Sequence, residues 1–341
     1  MKHKASPSVV ILFALAGQTA SSHHSSSMYD LETVSTLEGV VTKYEWANPH
    51  VYIYVEAAPQ SSERAEWRIE ASATGLMRRR GWSEDSLAPG ERVTVEANLH
   101  RDGDRHAGLG QSVTKENGQI LHVRESRDGP GEATTFTASS LSGNWLPSGS
   151  ELTRFLRQGA ASLPLTDVGR TTFESFTDVD NPDGANNPGK DCAAVPPPLT
   201  MFFPLVTTID VGADTVSMRM SIVGDVERIV HMNVDSHDGA EYTYQGHSIG
   251  RWEGDALVVD TAYFAHHVYG NAEGLASGPD KHVSERFELA PDRTSLTYSY
   301  VLEDPAYLSE PVSGSMSWAY RPDLPYLAQP CDLENARRYL D

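Results

Sequence analysis

From Thr33 onward the chain is patterned for strands. Val34 to Trp46 alternates loosely, with Leu37, Val40, Val41, Tyr44 and Trp46 as inward candidates, and Asn48-Pro49-His50 breaks the run. Val51-Tyr52-Ile53-Tyr54-Val55 and Trp67-Arg68-Ile69-Glu70 follow, rich in the β-branched and aromatic side chains that pack on a pleated surface. Residues 73–80 change character: Ala, Leu, Met and Arg favour helix, and Gly81 supplies a C-terminal stop. Arg92 to Ala97 alternates cleanly, and a hairpin over about 106–123 turns at Asn117-Gly118. Three strands, a short helix, then two or three strands is the order of an OB-type barrel.

Residues 126–139 are rich in Gly, Ser and Thr and read as a linker. A second unit opens at Leu141-Ser142-Gly143-Asn144-Trp145. Residues 177–200, with Pro196-Pro197-Pro198, read as a long loop. Short strands are then predicted at about 205–211, 215–222, 226–233, 240–246, 249–253, 256–262, 281–290, 294–303 and 312–321, with turns at Glu253-Gly254-Asp255 and Asp292-Arg293-Thr294. The expected fold class is all-β with minor α: an OB-like barrel, then a larger antiparallel β-barrel or sandwich. The expected division is 1–22, an export signal; 23–125, the OB-like domain; 126–139, the linker; and 140–341, the larger barrel.

The first segment reads as an address. Lys2 and Lys4 precede the apolar run Val9–Ala16, and the small residues Ala20-Ser21-Ser22 follow. That is the order of a secretory signal, and the run is too short to cross a bilayer. Export to a periplasm or beyond is expected, with no transmembrane span. In such a compartment the two cysteines, Cys192 and Cys331, read as one disulfide. The balance of 27 Lys+Arg against 47 Asp+Glu, net −20, argues against a nucleic-acid partner, because phosphate binding needs a cationic surface.

Two resemblances emerge. His23-His24-Ser25, Leu37-Glu38-Gly39-Val40-Val41-Thr42-Lys43, Trp46-Ala47-Asn48-Pro49-His50, Arg78-Arg79-Arg80-Gly81-Trp82-Ser83 and Asp85-Ser86-Leu87-Ala88-Pro89-Gly90 make residues 23–123 resemble a family of secreted bacterial domains of unknown function. Ser26-Ser27-Met28 departs from its pattern, which has an aromatic there. Gly246-His247-Ser248-Ile249-Gly250-Arg251-Trp252-Glu253-Gly254-Asp255, running on to Asp260-Thr261, with Ser284-Glu285-Arg286-Phe287 and Glu303-Asp304-Pro305, looks like an uncharacterised exported module. Gly143-x-Trp145 is similar to the first strand of lipocalin-type barrels. Neither resemblance implies an activity.

Candidate chemistry concentrates at Gly246–Thr261. His247, Ile249 and Arg251 share one strand face, and Ser248, Gly250 and Trp252 the other. If the His247 face turns inward, His247 and Arg251 can orient a ligand carboxylate or work as acid and base, with Asp260 as a partner across the hairpin. Trp252 and His50 are further ligand-binding candidates. Arg78-Arg79-Arg80 can grip a carboxylate or phosphate, or pair with Glu84 and Asp85. His231, His237, His266, His267 and His282 form a possible metal set, although adjacent strand histidines face opposite ways and no zinc-enzyme spacing occurs. His23 and His24 at a mature N-terminus can bind copper, with His50 as a third ligand. The leading expectation is an exported binding or accessory protein holding a small apolar or amphipathic ligand in the larger barrel. The alternatives are a hydratase, isomerase or lyase using His247 and Asp260, and copper binding.

Overall fold

The computed structural model of the chain describes residues 28–58, 64–124, 135–152, 155, 160–176, 187–221, 223–328 and 330–338. Two closed barrels account for most of them.

The first barrel is built from β1 (Ser35–Glu45), β2 (Tyr52–Ala57), β3 (Ala65–Glu70), β4 (Arg92–Leu99), β5 (Ala107–Lys115) and β6 (Ile120–His122). The sheet runs β3-β2-β1-β4-β5-β6 and closes through a parallel β3–β5 pairing. This is the arrangement expected of an OB-type barrel, and the helix Thr74–Arg79 lies between β3 and β4 as expected. Its Met77 is fully buried, and Gly81 follows at φ +84, where a side chain would be strained. A bulge between Val41 and Lys43 bends β1 so that it pairs with both β2 and β4. Leu37, Val41, Ile53, Val55, Ile69, Val95 and Val113 form the core.

The larger barrel has nine strands: β7 (Gly143–Pro147), β8 (Thr207–Val211), β9 (Thr215–Ser221), β10 (Asp225–His231), β11 (His247–Glu253), β12 (Ala256–Ala262), β13 (His282–Leu289), β14 (Ser295–Glu303) and β15 (Val312–Tyr320). It closes by β15 pairing with β7. The strand expected at 240–246 is absent. β10 and β11 run parallel, so residues 232–246 are the crossover between them and contribute only a bridge from Thr243 to Phe264. Within the span expected as linker, the described residues include a packed one: Ala138 is buried and its N–H donates to the Arg293 carbonyl at 2.9 Å.

The interior of the larger barrel is filled. Trp145, Phe155, Phe202, Tyr298, Tyr300 and Trp318 are all buried, and Phe202 packs at a tilt between Phe155 at 4.9 Å and Tyr300 at 5.1 Å. One charged pair lies among them. Arg228 donates to Glu285 Oε1 at 2.9 Å and to Oε2, to Ser248 Oγ at 3.0 Å and to Thr261 Oγ1 at 2.7 Å, and Tyr298 Oη donates to Glu285 Oε1 at 2.9 Å. Both side chains are shut off from solvent, at 1% and 0% exposure, so each ion depends on the other.

Cys192 and Cys331 are bonded, with Cα atoms 5.9 Å apart. The loop so closed spans 139 residues, and the chain-entropy account gives about 5 kcal/mol for a closure of that size. Beyond β15, residues 321–326 stay bonded to the larger barrel through Asn144 and Asp225, and residues 331–338 lie along the smaller one. Asp332 N–H donates to the Asn48 carbonyl at 3.0 Å, and Arg68 donates to the Arg338 carbonyl at 2.7 Å. Arg338 ion-pairs with Glu45 and donates to Tyr54 Oη at 3.0 Å. Asp332 caps the helix Leu333–Arg337 by accepting the Asn335 N–H at 2.8 Å.

Glu285→Gln leaves the Arg228 charge uncompensated in the core and is expected to cost about 3–5 kcal/mol in denaturant unfolding. The double change Arg228→Met/Glu285→Leu is expected to be the milder lesion, and a double variant weaker than the single one would refute the dependence of each ion on the other.

Candidate functional site

The hairpin turn at Glu253-Gly254-Asp255 sets the register of β11 on β12, pairing His247 with Ala262 and Ile249 with Asp260. The strand period of two then decides what faces where. Ser248, Leu257, Val259 and Thr261 are buried in the barrel, so His247 and Asp260 lie on the outer face. The same holds for His231 on β10, His282 on β13 and Glu303 on β14, since their neighbours Val230, Val283 and Leu302 are buried.

On that outer face a continuous polar chain forms. His237, from the crossover, places Nδ1 2.8 Å from His247 Nδ1 and Nε2 2.9 Å from Asp260 Oδ1. Asp260 Oδ2 takes His282 Nε2 at 2.8 Å, and His282 Nδ1 faces Glu303 Oε2 at 3.5 Å. His231 stacks on His247 with centroids 5.0 Å apart. Two Nδ1 atoms in contact share a single proton, because one must donate and the other accept.

The charges follow the contacts. The His282 hydrogen bond holds the Asp260 carboxyl down, at about 2, and burial only partly opposes it. The Asp260 bond raises His282 in turn. His247 is lowered, first by burial and then by the neighbouring His237 and His231. Tyr263, at φ +57, holds its ring against both His237 and Tyr242.

The other sequence candidates are dispersed. Arg251 sits on the outer face and pairs with Glu253 at 2.8 Å, and Trp252 is 44% exposed near the hairpin tip. His50 lies on the smaller barrel, its ring 3.4 Å from Glu70 and its N–H donating to Asn335 Oδ1 at 3.3 Å. Arg78 lies over the Trp46 ring at 5.3 Å, Arg79 donates to the Pro204 carbonyl, and Arg80 donates to the Val123 carbonyl at 3.0 Å. His23 and His24 lie outside the described residues. Among the described residues no group of three or more His, Cys, Asp or Glu side chains is arranged to hold a metal ion.

A cleft of about 560 Å³ opens near one end of the larger barrel. The helix Asp167–Phe176 supplies Phe176, the disulfide-anchored segment supplies Asn187 and Lys190, the crossover supplies Tyr244, and the loop after β12 supplies His266 and His267. The two histidines were expected on a strand, facing opposite ways. They occupy a loop instead, and both line the cleft. His266 Nδ1 lies 3.0 Å from the Ser277 carbonyl and must therefore carry a proton. His267 Nδ1 accepts the Tyr269 N–H at 3.0 Å, which places its ring proton on Nε2. Burial, helped by Lys281, lowers His267 to about 4, so the ring is neutral at ordinary pH. Tyr244 meets its edge at 5.1 Å.

Lys281 secures this region from below. Its ammonium donates to the Pro197 carbonyl at 2.6 Å and to Gly270, over the Phe264 ring at 4.5 Å. Burial lowers it to about 7, against the pull of Asp304 and Glu285. Asp304 in turn accepts from Asn271 Nδ2 and Gly278 N, both at 2.7 Å.

Comparison with known proteins adds one match: residues 11–110 fit a family model described as Family of unknown function (DUF6152). No curated protein matches the chain at a significant level. No helix among the described residues is long and apolar enough to cross a membrane.

The pH signs can be tested by NMR titration. His247 is expected to titrate below 6.5 and His282 above it. The His247 contribution to stability falls away as pH drops below 6.5, and that of His282 is lost as pH rises through its folded value. Asp260→Asn should bring the His282 midpoint down; an unmoved midpoint would disprove the link.

Proposed function

We propose that the protein is an exported binding or accessory protein that holds a small, partly apolar molecule in the cleft near the end of the larger barrel. The observation that carries this reading is the cleft of about 560 Å³, where aromatic surface from Phe176 and Tyr244 meets the polar edges of His266, His267 and Asn187. An apolar concavity with a few convergent polar groups is the usual form of a small-molecule site. The filled barrel interior favours this cleft over a ligand enclosed at the barrel centre, as in lipocalin-type proteins. Export is supported by the basic, apolar and small-residue order of residues 1–22 and by a disulfide suited to an oxidising compartment.

A second reading is acid–base catalysis of hydratase, isomerase or lyase type. It draws on the His237–Asp260–His282 chain, in which one carboxylate accepts from two imidazoles. Neither these three side chains nor His231, His247 and Glu303 beside them line the cleft, which ranks this reading second. Copper binding draws on His23 and His24, which lie outside the described residues, with His50 as a third ligand.

Native mass spectrometry of the exported protein is expected to show one retained organic molecule. Tyr244→Ala should release it, and Cys192→Ser/Cys331→Ser should weaken its retention by loosening the wall that carries Asn187 and Lys190. Protein that leaves the periplasm bare, or a retained mass indifferent to Tyr244→Ala, would overturn the assignment.

A further inference from the structure

The groups lining the cleft restrict its ligand further than its volume does. Its two formal charges oppose each other: Lys190 Nζ meets Asp191 Oδ2 at 2.6 Å, and Asp191 Oδ1 also takes Arg337 at 2.6 Å. Much of the polar lining is spent on the protein itself. Thr172 Oγ1 donates to the Val168 carbonyl at 2.9 Å and Ser175 Oγ to the Thr172 carbonyl at 2.7 Å, so both hydroxyls turn back on their helix. Asn187 Oδ1 accepts the Gly189 N–H at 2.9 Å. His267 is 3% exposed, accepts the Tyr269 N–H and is hydrogen-bonded to the Ala193 backbone.

His266 is different. It lines the cleft yet stays open to solvent, and its Nδ1 proton goes to the Ser277 carbonyl at 3.0 Å. In the neutral ring this leaves Nε2 with a lone pair and no proton, an acceptor on the side turned away from Ser277. A tyrosine hydroxyl such as that of Tyr244 can turn to donate or to accept and so does not discriminate, whereas the imidazole nitrogen requires a donor. The apolar part of the lining includes Phe176, Tyr244, Val268 and Ala276. Gly274, at φ +76, lets its loop close onto Phe176, where a Cβ would stand 2.7 Å from Cδ1. Tyr269 packs edge to face on the same ring at 5.3 Å and holds it in place.

We propose, resting on the reading of this cleft given above, that its ligand is an uncharged aromatic alcohol, with its ring against Phe176 and Tyr244 and its hydroxyl donating to His266 Nε2. A carboxylate has no proton to give and would set its charge against the Nε2 lone pair and Asp191. An ether of the same shape would cover the nitrogen without replacing the hydrogen bond it gives up to water, and a group left unmet in that way is what makes a site selective.

Fluorescence titration of the intact mature protein with 2-naphthol, 2-methoxynaphthalene and 2-naphthoate tests this. 2-Naphthol is expected to bind about fivefold more tightly than either of the others, the net worth of one hydrogen bond. His266→Phe should remove the preference over the ether, and His266→Gln, which keeps an acceptor, should retain part of it, with melting curves showing both variants folded. Tyr244→Ala should weaken naphthol and ether alike. A preference that survives His266→Phe, or equal binding of naphthol and ether that still falls in Tyr244→Ala, would overturn the aromatic-alcohol assignment and leave the cleft as the binding site. No binding by any of the three, or binding indifferent to Tyr244→Ala, would overturn both.

Discussion

The covalent tie between Cys192 and Cys331 is the constraint on which the wall of the cleft and the placement of the C-terminal segment both rest. It joins a loop at the larger barrel to the segment that leaves that barrel's last strand. Residues 187–193 thereby become a wall of the cleft, and residues 331–338 are held where Asn48, Glu45 and Arg68 can engage them. Individually these polar contacts are each worth about 1 kcal/mol or less. Anchored by a bond that closes a long loop, they act together on a short segment with little freedom left to lose.

The larger barrel uses its interior for structure. Arg228 and Glu285 meet in a space otherwise packed with aromatic rings, and with Ser248, Thr261 and Tyr298 they satisfy most of one another's polar groups. That network leaves the titratable histidines outside and the concave surfaces at the barrel's edges. The outer chain from His247 to Glu303 crosses four strands and fastens the 232–246 crossover through one residue, His237. The same crossover carries Tyr244 into the wall of the cleft.

Much of this was legible in residue order. The strand–helix–strand order of residues 34–123 and the turn at Asn117-Gly118 marked the smaller barrel, and Glu253-Gly254-Asp255 marked the β11–β12 hairpin. Two cysteines, in a chain whose first segment reads as an address, pointed to their own pairing. The alternation around His247 was readable, but its inward face was not, because both faces carry polar and apolar residues. The decisive sign lay elsewhere. Arg228 sits between Val226 and Val230, and Glu285 between Val283 and Phe287, each a lone charge on an otherwise apolar strand face. Opposite charges placed so are a signal of a buried pair. Tyr242 and Tyr244 gave 240–246 the look of a strand, whereas their rings pack on Tyr263 and His267 in a crossover. His266 and His267 were misplaced for the same reason: a loop is not bound by the period of two.

The C-terminal segment has a consequence for the order of assembly. The smaller barrel is made from the first third of the chain, and every strand it needs precedes β7. Its clasp, residues 331–338, lies beyond the larger barrel's last strand in chain order. Closure of the larger barrel likewise waits for β15 to find β7 across most of the intervening chain. Until β15 meets β7 the larger sheet has two unpaired edges, and edges of that kind invite pairing with other chains.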